Sequence, residues 1–222
     1  MGVYLGMIVS KFGFAILIPA APYSVSQRVV GRPREFDLEV ALDKAIVVFT
    51  ERGYHAASIG ELSAAMGVTP GSLYKAFADK KAIFLACFDR YKQVRNALLD
   101  AAIGSGRDGR DRIRQAVHFY ADAAHGQTGR RGCLVVGAAV ELALFDSETE
   151  ARVARSQAVL ETRFESLVRE GQADGSIASH VDPSIAARVI YAVVQGLRII
   201  GKTGQERDRA MATADAALKI LD

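Results

Sequence analysis

The side chains best suited to chemistry are hydroxyls, small residues and lysines gathered between residues 58 and 81. Hydroxyl and ammonium groups donate hydrogen bonds to base edges and phosphates, and small residues at a helix start let that helix approach a duplex closely. Ser72, Tyr74 and Lys75 fall on the exposed face of a helical pattern. The sequence therefore predicts DNA contacts by Ser58, Thr69, Pro70, Gly71, Ser72, Tyr74 and Lys75.

Basic residues flank that set on both sides. Lys80 and Lys81 follow it, and Arg28, Arg32 and Arg34 precede it. Cationic side chains bind the phosphate backbone or enter a minor groove, which adds salt-dependent affinity without sequence information. The three arginines alone would be typical of a solubilising tail. Beside the hydroxyl-rich helix, DNA contact is the favoured interpretation.

A helix with one buried stripe precedes this region. Its apolar residues recur at i, i+3, i+4, i+7, i+8 and i+11, which predicts burial of Leu38, Ala41, Leu42, Ala45, Ile46 and Phe49. We expect Gly53 to end this helix. Ser58 lies three residues before Glu61, the spacing of a capping box, and predicts a second, short helix that ends at Gly67.

Thr69 is the expected cap of a third helix. Pro70 stands at its first position, where the missing amide would have been unpaired anyway. Leu73 and Phe77 would face back toward the first two helices. Three short helices around one small core, with a glycine turn before the last, predict a helix-turn-helix near residues 58–77.

From Asp79 onward the apolar spacing remains helical and no strand pattern interrupts it. The fold class is therefore all-α, with about nine helices. A glycine and serine break at 104–106 ends the helix that follows Asp79. The later helices are expected over 113–124, 134–145, 147 to about 169 with caps at Ser147 and Glu150, 183–201 and 206–221.

Composition sets broad limits on the class of protein. Half of the 222 residues are hydrophobic, enough for one sizeable core or two small ones, and the net charge of +3 permits a polyanionic partner without requiring one. Cys87 and Cys133, the two cysteines, both lie in apolar helical patterns. This argues against a disulfide scaffold and for a reducing compartment, so we expect a cytoplasmic protein.

An apolar run from Phe12 to Ala21 follows Lys11 and resembles a weak secretion signal. At about ten residues it is well short of the roughly 20 that span a bilayer as a helix. Three interpretations are open: a true start of synthesis near Val29 or Val30, which we favour, a flexible apolar tail, and export.

Aromatic residues of the second half could line a ligand cavity, although each alone equally fits a core: Phe88, Phe119, Tyr120, Phe145, Phe164 and Tyr191. The 134–145 segment is apolar except for Glu141, which predicts a helix buried in the middle of a domain. A lone carboxylate there needs a partner, either in the protein or on a ligand. Both interpretations stay open.

Cys133 follows Arg130 and Arg131, cations that could lower the pKa of its thiol and make it a redox or metal sensor. A small buried hydrophobe is the favoured interpretation, with a place in the ligand cavity. The separations of seven and eight residues among His118, His125 and Cys133 match no common metal motif. We expect no metal and no cofactor.

Two other classes of function compete with DNA binding. An enzyme would need a nucleophile elbow, a phosphate-binding glycine loop, a metal-ligand cluster or a catalytic dyad, and none is visible in the sequence. A membrane-associated or exported helical ligand carrier without DNA binding rests only on residues 1–22. We therefore expect a protein that is not an enzyme and does not associate with a membrane.

Residues 32–81 resemble the DNA-binding domain of the tetracycline-repressor (TetR) family. The resemblance is carried by motifs that occur in order and at matching offsets: Arg52-Gly53-Tyr54, Ser58-Ile59, Leu62, Met66-Gly67-Val68, Gly71 to Phe77, and Lys80. Gly132-Cys133-Leu134 and Gly196-Leu197 are similar to the more variable regulatory half of some members. Ala76 departs from the pattern, because many relatives carry a polar residue there, which implies the loss of one phosphate contact.

The resemblance implies a ligand-responsive regulator with three parts: an N-terminal extension over 1–30, the DNA-binding domain over 31–80, and an effector-binding and dimerisation domain over 81–222. It implies a homodimer joined by the last two long helices, roughly 183–201 and 206–221. Two reading heads about 34–36 Å apart would meet an inverted-repeat operator, and a small-molecule effector among the middle helices would release the DNA. Repression is expected, because no separate segment is available for contacting polymerase. The sequence names neither the effector nor the operator.

Overall fold

The computed structural model describes residues 37–222. Arg28, Arg32 and Arg34 and the apolar run from Phe12 to Ala21 lie outside the described residues. Within 37–222 the chain forms ten α-helices, two 3₁₀ turns at Gly201–Thr203 and Lys219–Leu221, and no strand. The helices are α1 (Leu38–Ala56), α2 (Ile59–Met66), α3 (Pro70–Ala76), α4 (Lys80–Ile103), α5 (Gly109–Asp122), α6 (Gly126–Arg131), α7 (Leu134–Glu141), α8 (Ser147–Asp174), α9 (Pro183–Ile200) and α10 (Arg207–Leu218).

The first helix follows the predicted stripe from its second turn onward. The Asp37 carboxylate accepts hydrogen bonds from the amides of Glu39 and Val40 and so caps α1. Leu38 is 42% exposed, so its predicted burial is wrong and the buried stripe begins at Ala41. Gly53 breaks the helix at φ +80°, a conformation that favours glycine, and a short helical continuation runs to Ala56.

The two short helices begin and end where the sequence predicts. Ser58 and Glu61 form a reciprocal capping box at the start of α2, and Gly67, at φ +72°, ends it in a left-handed turn. The Thr69 hydroxyl accepts a hydrogen bond from the amide of Ser72 at 3.1 Å and caps α3, with Pro70 at the first helical position.

Three features of the second half differ from the sequence-based expectation. The six-residue helix α6 was not predicted. The helix α8 is capped by Asp146, whose carboxylate accepts from the Thr149 amide at 2.8 Å, and not by Ser147. The helix α7 ends at Glu141, so the 134–145 segment is not one buried helix, and Phe145 beyond it is 83% exposed.

Two apolar clusters hold the described residues together. One contains α1, α2, α3 and the first half of α4, with Leu134, Val135 and Ala138 of α7 packed into it. The other contains the end of α4 together with α5, α8, α9 and α10. The helix α4 runs from one cluster into the other, and α7 closes the first cluster from the side of the second half. The core beneath the short helices therefore includes residues far outside 31–80.

The segment Pro183–Thr203, which contains α9, is long and apolar enough to cross a membrane by length and composition. Its inner face is buried in the second cluster through Ala186, Ile190, Val194 and Leu197. This burial is typical of a core helix of a soluble protein, which can be equally long and apolar. The outer face carries exposed Ile185, Val189, Ile199 and Ile200.

Candidate DNA-binding surface and ligand cavity

The helix α3 is attached to the protein by one side and open on the other. Leu73 is fully buried against the first cluster, and Phe77 packs against it partly buried. The neighbours one and two places from Leu73 turn away from the cluster. The helix is short enough that its two ends are exposed as well. The exposed set is Thr69, Pro70, Gly71, Tyr74, Lys75 and Ala76, with Tyr74 55% exposed.

Packing inside the protein does not require glycine at position 71, whereas the capping hydroxyls of Ser58 and Thr69 are already hydrogen-bonded. A Cβ added at Gly71 would meet only the Thr69 hydroxyl oxygen at 3.9 Å, so nothing inside the protein requires glycine there. The Ser58 hydroxyl donates to Glu61 Oε2 at 2.9 Å, and the Thr69 hydroxyl donates to the half-buried Ser72 hydroxyl at 3.1 Å. Ser58, Thr69 and Ser72 thus already use their hydroxyls to build the helix starts.

Lys80 points into the protein, although its place in the sequence predicts a contact with phosphate. Its Nζ donates to the carbonyl oxygens of Tyr54 at 2.9 Å, Ala57 at 3.1 Å and His55 at 3.3 Å, and lies 4.5 Å from the centre of the Tyr54 ring. An ammonium has three donors, and all three are engaged. The expectation that Lys80 contacts phosphate is corrected: Lys80 fastens the end of α1 to the start of α4.

Lys81 is also engaged within the protein. Its Nζ pairs with the Asp146 carboxylate and lies 3.3 Å from Glu148 Oε2 at the start of α8. The hydrogen bond from Lys81, together with the amide of Thr149, lowers the pKa of Asp146 to about 2. Lys81 therefore joins α4 to α8, and among the lysines predicted to bind DNA only Lys75 stays on the open surface.

Glu141 has its partner in the protein, which supports one of the two open interpretations. Its Oε2 accepts from the amide of Tyr54 at 2.8 Å and from the amide of His55 at 3.3 Å, while its carbonyl lies 3.4 Å from His55 Nε2. These amides are free because Gly53 breaks α1 just before them. A Cβ added at Gly53 would lie 2.4 Å from Glu141 Oε1, so the carboxylate also occupies the space that glycine leaves.

A cavity opens between α4, α5, α7, α8 and α9. Its cavity volume is about 30 Å³, within about 420 Å³ of empty space that includes open solvent. It brings together three of the predicted cavity residues, Tyr120, Cys133 and Tyr191. The rest of its lining was not anticipated: Tyr91, Lys92, Arg95, Val135, Ser156, Leu160, Gln195 and Arg198.

The other predicted cavity residues lie elsewhere. Phe164 is completely buried in the second cluster, where it supports Tyr120 edge-on, and Phe145 is exposed beyond the end of α7. Phe88 belongs to the first cluster and touches a separate surface groove beside Arg152. Phe119 lies behind the cavity, where its ring stacks with the Arg95 guanidinium at 4.2 Å. Aromatic residues at helical spacing thus mostly form core, as single residues usually do.

Of the three cations that line the cavity, one could have been identified from the sequence. Arg198 is the lone charge in residues 189–200 of α9, which are otherwise apolar or neutral, and the same argument singled out Glu141 in 134–145. It is 4% exposed and donates to the carbonyl oxygens of Ala123 and Gly132. Lys92 and Arg95, in contrast, sit beside the apolar stripe of α4, where charges are usually solvated, so nothing in the sequence set them apart.

The Cys133 thiol lies at the start of α7 inside this cavity. Burial acts to raise its pKa, but the Arg198 charge, a hydrogen bond from the Tyr91 hydroxyl at 3.5 Å and the amides of Val136 and Val135 outweigh burial and hold the pKa below its ordinary value. The responsible cation is Arg198, not its sequence neighbours Arg130 and Arg131. Within 37–222, no group of three or more His, Cys, Asp or Glu side chains is placed to hold a metal ion.

Comparison with known proteins places both halves of the chain. Residues 41–87 match the model described as "Bacterial regulatory proteins, tetR family", and residues 109–217 match "Tetracyclin repressor-like, C-terminal domain". The HTH-type transcriptional repressor ComR of Escherichia coli (strain K12) is 27% identical over 194 residues, covering 86% of this chain and 91% of that protein. The HTH-type transcriptional repressor DhaR of Mycobacterium sp. (strain GP1) is 26% identical over 172 residues, covering 75% and 83%.

A solved structure extends the match to the whole fold. A cysteine-substituted variant of the TetR family transcriptional regulator CifR, complexed with 26-base-pair operator DNA, is 30% identical with a TM-score of 0.74, covering 85% of this chain and 98% of that one. The sequence matches and the shared fold therefore agree. This chain belongs to the TetR family of transcriptional regulators.

Proposed function

We propose that this protein is a ligand-responsive transcriptional repressor that binds an inverted-repeat operator as a homodimer and is released by a small-molecule effector. One observation carries the DNA-binding part: α3 buries Leu73 and turns Pro70, Gly71, Tyr74 and Lys75 outward. A helix held in this way can enter a major groove. The structural relative CifR is itself complexed with operator DNA, which supports the same role here.

Tyr74 and Lys75 are the side chains proposed to read base edges. Pro70 and Gly71 add little bulk, so the start of α3 can come close to the duplex. Thr69, Ser72 and Ser58 hold the helix starts and present backbone close to phosphates. Arg32 and Arg34 remain proposed contacts to the DNA backbone or minor groove.

Dimerisation is proposed through α8 and α9. Exposed Val159 of α8 and Ile185, Val189, Ile199 and Ile200 of α9 give these helices an apolar outer surface that a second copy would cover. The 206–221 helix was expected to share this role. It exposes no large hydrophobic side chain, so we propose α8 and α9 as the interface instead.

The cavity beside Cys133 is the proposed effector site. Cys133 also borders a second, smaller cavity that reaches Phe49, Tyr54 and Glu141 at the junction with α1. A ligand that displaces the start of α7 would therefore act on the Glu141 carboxylate and, through it, on the end of α1. Changing the spacing of the reading heads requires a few kcal/mol of differential affinity, on the order of 1–3 kcal/mol for typical coupling. No catalytic step is part of this function, and its place is the cytoplasm.

A binding-site selection with the full chain on randomised DNA duplexes, repeated at low and high salt, tests the proposal. Enrichment of an inverted repeat with half-sites about one helical turn apart is expected. A reporter gene placed behind that repeat then separates repression from activation. Absence of any enriched sequence at both salt concentrations would overturn the DNA-binding function.

A further inference from the structure

The effector cavity carries an excess of positive charge. Lys92, Arg95 and Arg198 all line it, and among the described residues that line it there is no aspartate or glutamate. Charges held in a cleft of low dielectric focus their field on whatever enters. The cavity is therefore shaped electrostatically for an anion.

Arg95 is the group most in need of a partner. Its Nη2 is buried and has no hydrogen-bond acceptor among the residues that the structure describes. The guanidinium lies 4.2 Å from the centre of the Phe119 ring and 5.4 Å from that of Tyr120, so stacking fixes its plane. A buried donor without a hydrogen-bond acceptor costs folding free energy. The acceptor that best matches a planar guanidinium is a carboxylate.

Lys92 and Arg198 have different roles beside it. Burial, together with Arg95 and Arg163, lowers the pKa of Lys92 and outweighs the Cys133 thiolate, which acts to raise that pKa, so the ammonium is only partly compensated. The Arg198 guanidinium donates to the Ala123 and Gly132 carbonyls and contributes charge rather than a free donor. Arg95 and Lys92 are thus the two cations available to a ligand.

The remaining lining is apolar or carries single hydroxyls. Val135 and Leu160 offer aliphatic surface, and Tyr120 and Tyr191 offer ring faces next to their hydroxyls. We propose that the effector is a small organic carboxylate whose carboxylate group pairs with Arg95 and Lys92 while its apolar part lies against Val135 and Leu160. This inference rests on the proposed effector role of the cavity, but the anion site can be tested without DNA.

Cys133 provides a reporter inside the cavity. Iodoacetate and iodoacetamide alkylate a thiolate by the same displacement of iodide and differ in the charge of the reagent. The ratio of their rates at Cys133 therefore measures local enrichment of a carboxylate and cancels the thiolate fraction. Cys87 is a built-in control, because it is fully buried and burial raises its pKa to about 12.

The rates are read by mass spectrometry of the full-length protein and compared with those of 2-mercaptoethanol, a neutral thiol. We expect the iodoacetate to iodoacetamide ratio at Cys133 to exceed the free-thiol ratio by about tenfold. Arg95→Gln and Lys92→Gln should bring the ratio down toward the free thiol. Arg169→Gln, which removes the same charge from an exposed site on α8, should leave it unchanged.

Three results would overturn the anion site. The first is a wild-type ratio equal to that of the free thiol, and the second is a ratio unaffected by both cavity substitutions. The third is no reaction of Cys133 with either reagent, because a cavity closed to a two-carbon compound admits no carboxylate. If a variant unfolds, alkylation of Cys87 reveals it, and suppression of the wild-type ratio by high salt then decides. A high ratio in a protein that selects no DNA sequence would separate this inference from the proposed function.

Discussion

The Glu141 carboxylate accepts a hydrogen bond from the Tyr54 amide at 2.8 Å, across 87 residues of sequence. The same stretch of backbone is held from the other side by Lys80, which bonds to the Tyr54 carbonyl at 2.9 Å. The break at Gly53 thus exposes polar backbone groups, and two charged side chains from different helices satisfy them. This junction connects the end of α1 to α7 and to α4.

Glu141→Ala should destabilise the protein by about 2 kcal/mol, because it leaves the half-buried amide of Tyr54 and the exposed amide of His55 without their charged acceptor. Urea denaturation followed by circular dichroism measures the change. Glu206→Ala is the matched control, since Glu206 is exposed and its side chain makes no capping bond. An equal effect of the two substitutions would contradict the role given to Glu141.

Lys80→Met should lower stability, also by about 2 kcal/mol, through loss of three carbonyl bonds at the end of α1. The operator affinity of this variant should fall only because the helix-turn-helix is less stable. The slope of log K against log salt should therefore match that of wild type. A slope reduced by about one charge would instead show that Lys80 contacts phosphate.

Lys75→Ala is expected to change DNA binding and leave stability nearly unchanged, the reverse of Lys80→Met. Because Lys75 is exposed on α3, stability should stay within about 0.5 kcal/mol of wild type. Affinity for the selected operator should fall, with altered preference at one or two base positions and a changed salt slope. Competition binding against single-base variants of the operator measures this, with Lys219→Ala, an exposed lysine in the C-terminal 3₁₀ turn, as control. Unchanged base preference would remove Lys75 from the reading surface.

Val189→Glu should convert the dimer to a monomer, because it places a charge on the exposed apolar surface of α9 that the partner would bury. Sedimentation velocity at micromolar concentration measures the change. Leu144→Glu adds the same charge at a side chain that is 87% exposed beyond α7, and should leave the dimer intact. If Val189→Glu stays dimeric, the interface lies elsewhere.

The ion pair between Lys81 and Asp146 predicts a pH dependence of stability. The pKa of Asp146 is lowered to about 2 in the folded protein, against an ordinary value of 3.8. Its contribution is therefore present above pH 4 and is lost as the pH falls toward 2. The site is near the surface, so solvent screening holds the contribution to about 1 kcal/mol or less.

Asp146→Asn tests this dependence, because asparagine retains the helix cap but not the charge. The stability difference from wild type, read from urea midpoints, should be largest above pH 4 and shrink toward pH 2. In a Lys81→Met background the difference should be much smaller at every pH. A difference that persists at pH 2 would point to the cap rather than the ion pair.

Local patterns in the sequence were enough to predict the helix-turn-helix. The Ser58 and Glu61 capping box, the glycine turn at Gly67 and the Thr69 cap each act within a few residues, so their geometry follows from spacing alone. The same holds for the alternation that buries Leu73 and exposes Tyr74. The cap of α8 was harder to predict, because Asp146 and Ser147 are adjacent and both are good capping residues.

The sequence by itself therefore determined the all-α class and the helix-turn-helix, because apolar periodicity and caps are properties of neighbouring residues. Only the tertiary structure decided where isolated charges go. Lys80 turned inward because Gly53 left carbonyl groups unpaired nearby, Glu141 met the amides of the same break, and Arg95 was drawn onto the Phe119 ring beside the cavity. Such partners lie tens of residues apart, and a long flexible side chain chooses among them only when packing has placed them.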